Sequence, residues 1–530
     1  MKNLKTINCL LGALLGLLTI LAYYPASQTT FIIDDLRFFV DDPLMVDPIG
    51  ILKIWLSPLE NNRAWPFLPI TRSTFWLERQ FWGLNFQVTH WLNILLHLLN
   101  AVLLWQILRQ LRIQGAWLAG SLFAVHPVHV QTVAWISDRK DILSCLFGLL
   151  SFWAFQHFEP KRNRGWYLTS IFLFLAALLS KTSAIMLPFV LIAFRVYSKR
   201  IWRKNDLFLL LPFFILALAT GAVRVWFEVQ LFGAGGIQFA MSFLERMVIA
   251  SHVPFFYLSK LFVPHPLVFI YPKWSINLEA VSSFLPFFSF SVTFVFLSRH
   301  YQRWGRPLFW GMGIFFILLF PVLGFFNNSW TRFSFVSDHW VYLPSIPIIV
   351  LTAKGGVQIY TKIRPPFQMF TALAGSFLLA GLCLLTWQQT HFYKNEETLW
   401  QSTLTKNPKA WPAYNNLGVL FQKRGERLQA LQFFNSALEI NPQDDSIFYN
   451  RGNTHASLQQ FDKAISDYNR AIELRSNEAD YYNNRGVAYA NMNQFERAFR
   501  DFQKAVNLDP KELRYLKNRD QLYQDWKKQQ

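Results

Sequence analysis

Cysteine is nearly missing from this chain, with three in 530 residues. Cys9, Cys145 and Cys383 stand far apart in apolar stretches, which excludes a disulfide framework and gives no zinc-ligand spacing. Acidic residues are also short, 32 Asp and Glu against 51 Lys and Arg, leaving a net charge of +19. That excess does not require nucleic acid, because short cytoplasmic loops of membrane proteins collect Lys and Arg. Four Asp fall between residues 34 and 42, but without EF-hand spacing a calcium loop is not indicated. Before residue 390 the chain has few long polar stretches.

What is present is apolar and aromatic. Hydrophobic residues make up 52%, with 53 Phe and 21 Trp, and the mean hydropathy is +0.20. Rings of this kind face lipid or sit at its interface. Apolar stretches recur at 7–23, 88–108, 117–125, 142–155, 166–179, 183–196, 207–223, 248–263, 280–297, 307–326, 341–359 and 370–385. Several need flanking residues to reach the roughly 20 that cross a bilayer. The first follows Lys2 and Lys5 and reads as a retained membrane helix rather than a cleaved signal, given only a weak small-residue site around Ala22–Ala26.

Basic clusters orient these stretches. They are Lys2/Lys5, Arg109/Arg112, Lys161/Arg162/Arg164, Lys199/Arg200/Arg203/Lys204, Arg299/Arg303/Arg306 and Lys354/Lys362/Arg364. With all of them cytoplasmic, two crossings fit between neighbouring clusters, except between Arg203 and Arg299, where three stretches compete. Residues 248–263, with His252, Pro254 and Lys260, are expected at the outer interface or re-entering. About eleven spans result, with the N-terminus inside and the C-terminus outside.

Beyond residue 390 the pattern changes to a 34-residue repeat. Gly418, Gly452 and Gly486 are in register, as are Ala430, Ala464 and Ala498, then Phe434, Tyr468 and Phe502. This is the tetratricopeptide (TPR) pattern of paired helices. The expected fold is therefore all-α, a polytopic membrane domain over 1–390 followed by a TPR α-solenoid. A connecting half repeat is expected over 391–410, three repeats over 411–512 and a capping helix over 513–530, carrying Leu513, Leu516, Leu522 and Trp526. Asn416, Asn450 and Asn484 also recur, two residues before each Gly. Their amides either hold an extended peptide backbone, since each offers donor and acceptor, or simply suit that helical position.

Candidate chemistry lies in the outer segments. Asp34 and Asp35 follow the first membrane helix, where a carboxylate can accept a proton from an attacking hydroxyl; a helix cap or solvated turn is the plainer alternative. His126 and His129 with Arg139 and Lys140 form a second group able to grip a phosphate, and Asp141 follows as a further active-site candidate; an interfacial turn with snorkelling cations is the plainer alternative. Two His without a clear third ligand make a metal site weak. Lys181 lies at the outer end of its hairpin, where it either snorkels or faces a polar cavity, and Asp338, His339 and Tyr342 lie in the last outer loop.

The segments FIIDDLRFFVDDP, WPFLPITRSTFWLERQFWGLNFQVTHWLNILLH, HPVHVQTVAWISDRKDIL, LLSKTSAIMLP and SDHWVYLPS, with the repeats after them, resemble the transmembrane and tetratricopeptide repeat-containing O-mannosyltransferases and their bacterial relatives, of the GT-C class. The resemblance implies an inverting transfer of one mannose-like sugar from a polyprenyl monophosphate, without a metal or other cofactor. On this chain it implies Asp34 as base, with Asp35 as its partner or the base itself. Arg139, Lys140 and Lys181 become the candidates for the donor phosphate. The family usually has Arg where this chain has His339, itself a donor-phosphate candidate, so either Arg332 substitutes or the donor or activity differs. The asparagine register resembles the ladder of the nucleocytoplasmic O-GlcNAc transferase. The expected partners are membrane lipid, the lipid-linked donor and a protein acceptor on the repeats, not nucleic acid. The expected location is a bacterial inner membrane or the endoplasmic reticulum, with the repeats periplasmic or luminal. Transfer to a lipid or envelope glycan, and a non-catalytic TPR scaffold, are the alternatives.

Overall fold

A computed structural model describes residues 2–56, 67–198, 206–230 and 240–529. The expected basic cluster Lys199/Arg200/Arg203/Lys204 lies outside them. The described residues are all-α, without a strand, and form two compact units that meet in sequence at Asn395 and Glu396.

In the first unit, seven helices are long and apolar enough to cross a bilayer: Thr6–Gln28, Phe86–Gln110, Ile136–Glu159, Phe208–Gln230, Val281–Arg299, Tyr301–Val322 and Pro365–His391. Three shorter apolar helices, Ala116–Val125, Arg164–Ser180 and Thr182–Tyr197, accompany them. The expected stretch 341–359 is the helix Ser345–Lys362. Phe86–Gln110 and Ile136–Glu159 form the centre, 50% and 61% buried over their apolar windows, against 6% for Val281–Arg299. Exposed side chains such as Phe172, Leu218 and Phe377 make the outer surface apolar, as contact with lipid requires.

The stretch 248–263 belongs to one helix, Phe243–Phe262, opened by a capping box between Ser242 and Glu245. Val248, Ile249, Val253, Tyr257 and Leu261 bury one face of it. Near its start Arg246 donates to the Gly324 carbonyl at 2.9 Å and to Asn327 at 2.7 Å. Near its end the Leu261 carbonyl pairs with His126 Nε2 at 3.0 Å. Both ties go to loops that follow apolar helices, at the end of the bundle holding Ser337, to which Tyr257 donates at 2.8 Å.

The second unit shows why its glycines and aromatics share one register. A Cβ on Gly418 would lie 2.5 Å from Phe434, on Gly452 2.8 Å from Tyr468 and on Gly486 2.9 Å from Phe502. Each glycine thus lets its helix approach the ring of its partner helix. Arg451 grips Asp467 with Nε and Nη2 at 2.9 and 2.6 Å, and Asn435 with Nη1 at 2.9 Å. Arg485 repeats this with Asp501 and Asn469. Each clasp joins three helices, and paired guanidinium–carboxylate bonds are among the stronger polar contacts. The helix Glu396–Lys406 precedes the repeats. In the last helix, Leu513–Gln529, Leu522 is buried and Trp526 meets Phe499, but Leu513 is 75% exposed and takes no part in capping.

Candidate functional site

The site is built where the first loop meets the start of the Arg139–Lys161 helix. Ile33 has φ +49, a left-handed conformation that a β-branched residue adopts only under constraint. Asp34 and Asp35 follow this turn. Asp35 is fully buried. Its Oδ1 accepts from the Ser137 amide at 2.7 Å and hydroxyl at 2.5 Å, and its Oδ2 accepts from the Ile32 amide at 3.1 Å. Burial nevertheless raises its pKa to about 7, with the Asp34 charge adding to the rise. Asp35 fastens the loop to the segment before Arg139.

Asp34 is half-buried, and its carboxylate makes no hydrogen bond among the described residues. Burial raises its pKa; the charges of Lys140 and Arg37 oppose this and that of Asp138 adds to it. Asp34 therefore sits within electrostatic reach of a cluster of ionised groups. Lys140 Nζ lies 2.6 Å from Asp138 Oδ1 and donates to the Ser137 carbonyl at 3.0 Å. Lys181 Nζ lies 2.5 Å from Asp141 Oδ2. The extended backbone of Lys181 is held by Ser144, whose hydroxyl donates to its carbonyl at 3.0 Å. His339 Nδ1 pairs with the Ser337 hydroxyl at 2.9 Å and lies 3.6 Å from Asp138 Oδ2. Burial pulls the His339 pKa down to about 3 against the pull of Asp138, so the ring is neutral near pH 7. The rings of Trp330 and Trp135 lie edge-on to it.

Asp138, Asp141 and His339 bring ligand atoms within 4.8 Å of one another, a set that suits a divalent cation. Two ammonium groups already neutralise the same carboxylates, so the cluster has its own counter-charge.

Other candidates turn elsewhere. Arg139, next to Lys140, is 1% exposed and pairs with Glu78. It also donates to Asn93 at 2.6 Å and to the Thr89 carbonyl at 3.0 Å. Successive helical residues point about 100° apart, so the two cations serve different partners. His126 caps the following turn, accepting from the Val128 amide at 3.3 Å. His129 bridges the Phe123 carbonyl and Ser345. Tyr342 meets His97 at 2.7 Å and Asn100 at 3.2 Å. Asp338 accepts from Tyr271 at 2.7 Å. Arg332 ends the short helix Ser329–Arg332, whose Trp330 touches His339. Of the other two aspartates between residues 34 and 42, Asp42 pairs with Arg72 at 2.5 Å, and neither it nor Asp41 belongs to a ligand cluster among the described residues.

The reading from sequence did not single out Glu78, Asn93 and His97. Thr89, Asn93, His97 and Asn100 recur three or four residues apart in an apolar helix, a spacing that marks a polar stripe facing protein.

In the repeats, Asn416 donates to the Pro412 carbonyl of its own helix at 2.7 Å. Asn450 donates to Asn415 at 3.1 Å. Asn484 donates to Tyr449 and Asn453, both at 2.9 Å. Two of the three amides thus link one repeat to the one before.

Residues 73–226 match the family described as dolichyl-phosphate-mannose-protein mannosyltransferase. Residues 411–444 and 479–512 match the tetratricopeptide repeat, and 453–493 a further TPR family. A protein O-mannosyl-transferase of Caenorhabditis elegans is 24% identical over 445 residues, 80% of this chain and 62% of that protein. Human protein O-mannosyl-transferase TMTC3 is 22% identical over 519 residues, 86% of this chain and 54% of its own length. Human TMTC4 is 32% identical over 202 residues, 32% of this chain and 27% of that protein. The chain thus spans little more than half the length of the curated relatives it matches most fully. It joins a mannosyltransferase-family segment to C-terminal TPRs, as the resemblance implied.

Proposed function

We propose that this multi-pass membrane protein is a GT-C-type glycosyltransferase, moving one mannose-like sugar from a polyprenyl phosphate to a protein Ser or Thr hydroxyl. The observation that carries the reading is the contrast between neighbouring acids: Asp35 has three protein donors, while the half-buried Asp34 carboxylate has none among the described residues and feels the charges of Lys140 and Arg37. Asp34 takes the hydroxyl proton as the oxygen attacks the anomeric carbon. The bond from that carbon to the phosphate oxygen breaks, and the configuration inverts. Lys140 and Lys181 face the charge that builds on the departing phosphate, where preplaced cations act most strongly. The raised pKa of Asp34 brings it nearer a useful base, and the rate falls as acid protonates it.

The donor needs no metal on this reading, because the lysines supply the positive charge. His339, neutral in the free protein, contributes a hydrogen bond rather than the fixed charge of an arginine. The TPR array presents the acceptor on the periplasmic or luminal side. The test is transfer from a polyprenyl-phosphate mannose to acceptor peptides by the purified chain. Asp34→Asn should lower the rate at least about 100-fold while the protein stays folded in the membrane. Transfer at the unaltered rate removes Asp34 from the mechanism.

A further inference from the structure

The membrane unit has a second polar site, at the opposite end of its central helix from the aspartates. A cavity of about 430 Å³ is lined by Arg112, Gln114, Phe194, Tyr197, Lys354 and Gln358, among others. The Phe86–Gln110 helix sets its depth. Asn93, near the start of that helix, binds Arg139 beside Lys140. Its last residue, Gln110, leads directly into Leu111–Gln114 on the cavity wall. At 1.5 Å per residue, the cavity lies roughly 27 Å along the helix from Asn93, close to the thickness of a hydrocarbon core. The chain from the Lys181 loop likewise reaches the cavity at Tyr197 and Ser198, the end of the Leu187–Tyr197 helix.

The lining suits one class of ligand. Among the described residues it has two cations and no acid. Neither Arg112 nor Lys354 makes an ion pair or side-chain hydrogen bond among the described residues. Arg306 stands behind the wall, its guanidinium 5.0 Å from the centre of the Tyr197 ring. Gln114, Gln358 and Ser198 add neutral hydrogen-bonding groups, while Leu111, Ile113 and Phe194 make the remainder apolar.

The wall is also preformed. Gly115 has φ +79, and a Cβ there would lie 2.8 Å from the Ala353 carbonyl, so this turn packs tightly on the helix that carries Lys354. Arg112 itself has φ +56, at a helix end where glycine is the unstrained choice. The chain keeps an arginine there.

We propose that this cavity binds the phosphate of an anionic glycerophospholipid in the leaflet opposite the aspartate cluster. Arg112 and Lys354 would hold the phosphodiester, and the apolar wall the glycerol end of the chains. A second lipid-phosphate site, distinct from that of a sugar donor, would tie the protein to membrane composition.

The full chain in nanodiscs of phosphatidylcholine, with rising fractions of phosphatidylglycerol, tests this by native mass spectrometry of retained lipid. One tightly held phosphatidylglycerol is expected, with apparent affinity falling by at least about tenfold in Arg112→Gln/Lys354→Gln, which removes both charge-assisted contacts. Arg299→Gln/Arg303→Gln removes the same charge from exposed positions outside the cavity and should leave that lipid bound. Equal retention in both double variants overturns the site. Protection of the lipid-free protein by inorganic phosphate, matching that by phosphatidylglycerol, would overturn the lipid as ligand in favour of a free anion. The lipid count involves no sugar transfer, so it reads independently of the proposed activity.

Discussion

The two units bury charge in opposite ways. In the membrane unit three buried or partly buried pairs join parts of the chain 30 to 61 residues apart: Arg139 with Glu78, Lys181 with Asp141, Arg72 with Asp42. In the repeat unit one device recurs, Arg451 with Asp467 and Arg485 with Asp501, each pair 16 residues apart. The repeated clasp is local and partly exposed, so neighbouring repeats and water share the cost of losing it. A buried pair in the bundle has no such reserve. Removing one partner leaves the other charged in a place water does not reach.

The largest expected effect follows directly. Glu78→Gln should strand the Arg139 charge and destabilise the membrane unit by about 3–5 kcal/mol, read as a fall in the detergent-solubilised melting temperature. A loss below about 1 kcal/mol would mean that water reaches Arg139, and the contrast between the units would fail. Next comes Asp501→Asn, which weakens one clasp and should cost about 1–2 kcal/mol. Hydrogen exchange in the full chain should show faster exchange confined to the helices around Arg485. Asp467→Asn should cost a similar amount, and the two changes should nearly add.

A smaller effect concerns pH. The pKa of Asp35 is raised to about 7 in the fold, so between the unfolded value and about 7 the native state holds the extra proton. Stability from this group is complete below the unfolded pKa and declines as pH rises through about 7. Melting temperatures at pH 5 and pH 8 should therefore differ more in the wild type than in Asp35→Asn, which cannot titrate. An unchanged pH slope would show that the Ser137 and Ile32 donors, rather than burial, control this acid. Least of all is expected from chelation. If Lys140 and Lys181 serve as the cations of the cluster, EDTA leaves sugar transfer unaltered. Loss of transfer with EDTA and its return with a divalent ion would assign Asp138, Asp141 and His339 to a metal.

The repeats were legible because their signal is local and repeated. Gly418 predicts a ring at Phe434 through one helix-pair contact, and the chain repeats that contact every 34 residues. The apolar lengths were legible for a similar reason, since a bilayer sets a minimum run of residues whatever the neighbours. The candidate site was only partly so. His126, His129 and Arg139 lie in the same segment as Lys140 and Asp141, and nothing in their spacing tells inward from sideways. Asp34 and Asp35 are adjacent, yet after the turn at Ile33 one of them has three donors and the other none among the described residues.

Sequence alone determined that this is an all-helical chain with a bilayer-length apolar part and a 34-residue helical array. Those properties follow from residue type and period, which act over a few turns. Tertiary structure decided which charges meet. Glu78 reaches Arg139 across 61 residues and His339 reaches Asp138 across about 200, and partners so far apart are chosen by packing, not by any pattern along the chain.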